Sequence, residues 1–314
     1  MTQPSRGVWA RVCRSLPPLD EIDRSIYRTI AFGFPLLTMV IITGAVWAQY
    51  VWQRWWSWDP KETASLVTWL VYAAYLHGRK QRNWGGGASA GFAVLGLAAV
   101  LFTYAGVNYL QSLHSYGLAH ASPEGRLFGG FSGVSTAEAL LTTAAFVLFL
   151  VAFALSAGNL ARGVAGSSKT AQTAALAGLL ALSVVLVMRM VDAGRITFTS
   201  GYDFSLWFVW GIVLCALVAS FRGQGLALTA GLPLALLIAM YGYLYFPHKG
   251  HTALPPALQN KLWLHIHVSL AIFAYGALAL AAGWGILYWI RQVAERRVGE
   301  AQVAETDTPT NTNG

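Results

Sequence analysis

Thirteen tryptophans and seven histidines are the side chains of this sequence best suited to chemistry, and neither type is evenly spread. Trp47, Trp52, Trp55, Trp56, Trp58 and Trp69 crowd one short stretch, four of them between positions 52 and 58. His114 and His120 lie in a second segment, His248, His251, His265 and His267 in a third, and His77 stands apart. An aromatic belt at a membrane surface explains two or three of the tryptophans. It does not explain four in one short loop. Indole faces are flat and apolar, with one N–H for a polar edge. Neutral imidazole is a common metal ligand. Together they suit a large planar apolar ligand carrying a metal, and a porphyrin fits that description, with histidine as axial ligand to its iron.

The elements that hold these residues must be membrane helices. Of 314 residues, 56% are hydrophobic and 11% charged, against about 25% charged in soluble domains. This excludes a soluble enzyme, a disordered chain and a disulfide-rich module. Apolar stretches near 30–50, 63–78, 88–108, 137–158, 171–191, 204–221, 226–246 and 264–290 predict an all-α integral membrane protein, a bundle of about eight spans. The expected sections are an N-terminal segment 1–29, a first membrane section 30–136, a second 137–297 and a disordered tail 298–314. Asp59 suits an N-cap, Pro60 the first helical position and Glu62 the carboxylate of a capping box, so the second span starts there and fixes the Trp-rich loop.

Placing the N-terminus in the cytoplasm puts fourteen of the 21 basic residues on the inner side. This bias predicts both termini inside and the Trp loop outside. The net charge of +8 is therefore topological; basic residues scattered over short loops make no nucleic-acid footprint. Cys13 and Cys215 belong at different depths and in no CxxC motif, so neither a disulfide nor covalent haem attachment to this chain is expected. Residues 1–29 lack the apolar core of a cleavable signal peptide. Glu138 and Asp192 lie near span ends, so no carboxylate relay for a transporter is visible.

Trp52-Gln-Arg-Trp55-Trp56-Ser-Trp58-Asp59-Pro60-Lys61-Glu62-Thr63 resembles the tryptophan-rich "WWD" signature, WGxxWxWDPKET, of haem-handling membrane proteins. Tyr75-Leu-His77-Gly-Arg79, Gly106-Val-Asn108, Leu113-His114-Ser-Tyr116-Gly117, Pro256-Ala-Leu-Gln259 and Trp263-Leu-His265-Ile-His267-Val268 narrow the resemblance to the CcsA (ResC) family of system II cytochrome c maturation. Tyr202-Asp203-Phe-Ser resembles that family's Tyr-Glu-Ser-like segment. Two departures stand out. Gln53 replaces the signature's glycine. The segment order is also rotated relative to the family, like a circular permutation with a join near 117–136. A rotated order requires residues 264–290 to neighbour 30–50.

The resemblance implies an outer site in which His114 and His267 ligate haem b iron from opposite faces, with Trp52, Trp55, Trp56, Trp58 and Asp59 forming the platform. His265, two residues from His267, points about 200° away on a helix and is read as structural or supporting. His120, His248 and His251 match no motif and read as solvated loop residues, with a replacement ligand among them as the alternative. His77 lies roughly 21 Å into its span. It reads either as an interfacial residue beside Arg79 and Lys80 or, by resemblance, as part of an inner haem site whose second ligand comes from a partner subunit.

The implied function is that of a haem-handling subunit of a cytochrome c synthase. It would present haem to the CxxCH thiols of apocytochrome c, beside a CcsB (ResB) partner. The implied location is a bacterial cytoplasmic membrane, with a thylakoid membrane as the lesser alternative. The other functional reading is a haem exporter or chaperone that passes haem on without catalysing attachment.

Overall fold

The computed structural model describes residues 7–82, 84–104, 106, 134–162, 168–198, 200–246 and 261–306. Among them are nine helices and no strand: α1 (Val8–Ser15), α2 (Leu19–Trp52), α3 (Pro60–Arg82), α4 (Gly87–Tyr104), α5 (Thr136–Ala161), α6 (Lys169–Ala193), α7 (Gly201–Phe221), α8 (Ala227–Tyr245) and α9 (Lys261–Thr306). Each expected span corresponds to one of α2 to α9. Seven of these are long and apolar enough to cross a membrane. The eighth, α3, has 23 residues. Its charges sit at its ends (Lys61, Glu62, Arg79, Lys80, Arg82), and the run between Glu62 and Arg79 has none. The chain is a multi-pass helical membrane protein.

Two helices exceed the roughly 20 residues a span needs. α2 has 34 residues and begins at Leu19, well inside the segment expected to precede the membrane. α9 has 46 and continues to Thr306. This corrects the first part of the expected disordered tail; residues 307–314 lie outside the described residues. Charges toward the C-terminal end of this helix pair at helical spacing. Arg291 Nε meets Glu295 Oε1 at 2.7 Å, and Arg297 Nη1 lies 3.6 Å from Glu300 Oε2.

α9 is the hub, packing on α1, α2, α4, α7 and α8. Small residues let it approach closely, as membrane helices require. A Cβ on Gly276 would lie 2.7 Å from the Gly211 carbonyl carbon and oxygen of α7. The α2–α9 pair is the most extensive in the bundle. It is the neighbour relation that the rotated segment order requires.

One charged cluster is buried where the sequence suggested none. Arg189 of α6, 1% exposed, donates from Nε to Asp203 Oδ1 of α7 at 2.7 Å and from Nη1 to Glu138 Oε1 of α5. Ser200 Oγ donates to Asp203 Oδ2 at 2.7 Å. Three helix ends thus meet on one guanidinium. Position in the sequence puts Arg189 at a span end and Glu138 near one, but carries no sign of this partnership.

Candidate functional site

The Trp loop is built by two helix ends. α2 stops at Gln53, whose φ of 58° and ψ of 31° are left-handed. That conformation favours glycine, the residue the signature carries at this position. α3 begins with the expected capping box. Asp59 is buried, and its Oδ1 accepts from Lys61 N at 3.1 Å. Glu62 Oε2 accepts from Ser57 N at 2.8 Å, Ser57 Oγ at 3.1 Å and Asp59 N at 3.3 Å. One carboxylate therefore ties Ser57 and Asp59, on either side of Trp58, to the start of α3. Trp55 and Trp58 stand out from this frame, 60% and 70% exposed, and Trp56 packs edge-on against Trp58 at 5.8 Å. Trp58 itself has φ 58°, a costly conformation for a bulky residue and a common one at functional sites.

His267 faces the outgoing end of α2. Its Nδ1 lies 2.9 Å from the Val40 carbonyl oxygen and 3.5 Å from Thr43 Oγ1. A carbonyl only accepts, so the Val40 bond places the proton on Nδ1 and the lone pair on Nε2. The ring stacks with Trp47 at 6.4 Å and 13°. It fits because position 44 is glycine: a Cβ there would lie 2.9 Å from His267 Cε1 and 3.1 Å from Nδ1. Trp47 in turn meets Trp52 edge-on at 5.1 Å. The imidazole is thus tied through two indoles to the start of the Trp loop.

His265 looks the other way, as helical phase requires. It meets Phe198 at 6.1 Å. Phe198 packs on Trp207 at 5.4 Å, and Trp207 Nε1 donates to Thr197 O at 3.0 Å. Trp47, Val51, Trp52, Trp207, Trp210 and Trp263 share one apolar cluster with Leu264, Val268 and Ile272 of α9. Val40, Thr43, Gly44, Phe198 and Trp207 are the site residues that sequence reasoning missed. Of these only Trp207, three residues before Trp210 on α7, carried a signal.

His114, His120, His248 and His251 lie outside the described residues. The departure point of the His114 segment is defined, however. Tyr104, the last residue of α4, has its hydroxyl 2.6 Å from Ser205 Oγ and 3.1 Å from Gly201 O, and its ring stacks on Phe204 at 4.9 Å. α4 therefore ends against the start of α7, the helix that brings Trp207.

His77 is exposed on the outward face of α3, far along the helix from the Trp loop. Its neighbours Tyr75 and Arg79 turn inward. Arg79 Nη1 reaches Asp23 Oδ2 at 2.6 Å and Ser89 Oγ at 2.9 Å, and Tyr75 donates to Ser89 Oγ at 3.2 Å. The structure separates His77 from His267 and brings no second histidine to it among the described residues.

The donor set fits haem ligation: an imidazole oriented by Val40 and seated on Gly44, with exposed Trp55 and Trp58 in the Trp loop. Among the described residues no cluster of His, Cys, Asp and Glu suits a bare metal ion. Comparison with known proteins identifies the family. The family described as "Cytochrome C assembly protein" matches residues 6–114 and 199–311, leaving residues 115–198, with α5 and α6, between the two blocks. The "Cytochrome c biogenesis protein CcsA" of Guillardia theta is 57% identical over 100 residues, 32% of this chain and 33% of that protein. A protein of the same name from Prochlorococcus marinus is 56% identical over 99 residues, 31% of each chain. That of Gloeobacter violaceus is 54% identical over 99 residues, 31% of this chain and 29% of the relative. The chain thus spans about a third of the length of the curated relatives it matches. No solved structure matches it. The two matched blocks hold the Trp loop, His77 and His267 alike, and the chain belongs to the cytochrome c assembly protein family, its similarity running to the CcsA proteins.

Proposed function

We propose that this chain works in cytochrome c biogenesis by holding haem b at the Trp-loop end of the bundle and presenting it to the CxxCH thiols of an apocytochrome c. His267 is one axial ligand, and His114, on the segment that leaves Tyr104, is the other. The observation that carries this reading is the His267 imidazole, with Nδ1 at 2.9 Å from Val40 O and the ring stacked on Trp47. The Val40 bond fixes the tautomer and strengthens Nε2 as a donor, which is how proteins prepare ligating histidines. Trp52, Trp55, Trp56 and Trp58 provide the aromatic platform. Asp59 and Glu62 hold that platform still through the cap. Thioether formation joins cysteine thiols to vinyl groups, chemistry that haem supplies; the protein's share is ligation, orientation and placement.

His77 belongs, in this proposal, to an inner haem site completed by a CcsB (ResB) type membrane subunit. Its outward-facing position on α3 supports that reading. The Trp loop faces the outside of a bacterial cytoplasmic membrane, with both termini inside. Co-expression with a CcsB subunit and an apocytochrome tests the proposal. Covalent haem on the cytochrome, lost on changing Cys to Ser in its CxxCH motif, is the expected result. Haem bound to this chain with no attachment would instead favour the exporter reading.

A further inference from the structure

We propose that α1 is an interfacial helix that binds anionic lipid headgroups at the end of the bundle opposite the Trp loop. Its sequence, Val-Trp-Ala-Arg-Val-Cys-Arg-Ser, contains two cations and no acid. Ala10 and Ser15 face the protein, where α1 packs on α9 and α5. Val8 and Trp9 remain 62% and 42% exposed, and Arg11 and Arg14 are exposed too. Neither water nor hydrocarbon satisfies that mixture, whereas the headgroup boundary satisfies both parts.

The depth of α1 follows from an independent contact. Arg291 Nη1 donates to Leu16 O at 3.1 Å, just past the end of α1. Arg291 is also where the apolar run of α9 gives way to Glu295, Arg296 and Arg297. α1 is therefore pinned level with the change from apolar to charged residues on the hub helix. Exposed Trp289 lies two residues before Arg291 on α9, as an interfacial aromatic does.

The charge balance favours an anionic surface. Asp20 pairs with Arg24 at 3.1 Å, Asp23 with Arg79 at 2.6 Å and Glu295 with Arg291 at 2.7 Å. Among the described residues no carboxylate pairs with Arg11 or Arg14. Both cations are left for lipid phosphate, and such attraction acts only within a Debye length of the surface.

The test uses the full chain in nanodiscs, with a spin label at Val8→Cys on a Cys13→Ser, Cys215→Ser background. Accessibility to oxygen and to a water-soluble nickel chelate reports depth. In discs containing phosphatidylglycerol the label should be open to oxygen and shielded from nickel. Replacing phosphatidylglycerol by phosphatidylcholine should raise nickel accessibility severalfold, and Arg11→Gln with Arg14→Gln should remove that dependence on lipid charge. A label open to nickel in both lipids would overturn the proposal. So would a depth indifferent to lipid charge, or a label shielded from both reagents, which would place protein rather than lipid against α1. Should the double variant fail to fold, the lipid exchange alone still decides.

Discussion

Gly44→Ala separates the stability of α2 from the placement of His267. The new Cβ would lie 2.9 Å from His267 Cε1 and 3.1 Å from Nδ1. Ordinary carbon contacts begin near 3.5 Å, so the ring must retreat by about half an ångström. Because the clash falls on the same side of the ring as Nδ1, the 2.9 Å bond to Val40 O opens. Losing that bond costs about 1 kcal/mol. Replacing glycine by alanine within a helix returns about the same, so the melting temperature should barely move. Placement of the ligand should suffer instead. A misplacement of ~1 Å can cost a site roughly a hundredfold, so half of that points to about a tenfold loss of haem attachment. The assay is haem stain on a co-expressed cytochrome, with the Soret band and melting curve of the purified variant alongside. An unchanged melting curve, full attachment and a normal Soret band together would refute the reasoning.

Three further substitutions probe the frame. Gln53→Gly relieves a left-handed residue and should stabilise the protein by about 1 kcal/mol, a small rise in melting temperature, with attachment unchanged. Glu62→Ala removes the acceptor of three bonds and should lower haem retention in a way that added imidazole does not restore, because Glu62 is not a ligand. Arg189→Met leaves two carboxylates buried without their cation and should cost about 3–5 kcal/mol, read as early thermal aggregation in detergent.

Much of the fold was legible because its determinants are local. Apolar run length gave the spans, and Asp59-Pro60-Lys61-Glu62 gave the start of α3 within one turn. The opposed directions of His265 and His267 followed from helical phase alone, and they now show as contacts with Phe198 and with Val40. The missing parts depend on tertiary placement. Gly44 looks like any glycine in an apolar helix until α9 is laid beside it. Glu138, Arg189 and Asp203 are far apart in sequence, each near a helix end, and only the bundle brings them to one point. The extra turns of α9, which run to Thr306, have a polar composition that reads equally as a tail, and the Arg297–Glu300 pair at helical spacing is a small local contribution to the helix.

The central claim is that His267 ligates haem iron through Nε2. The most direct test is the absorption spectrum of purified His267→Ala, with and without added imidazole, beside His265→Ala. The account predicts a diminished Soret band for His267→Ala that imidazole partly restores, since the vacated position lies between Val40 and Trp47 and can admit it. His265→Ala should keep the six-coordinate low-spin spectrum. A normal spectrum for His267→Ala together with a lost one for His265→Ala would contradict the ligand assignment outright.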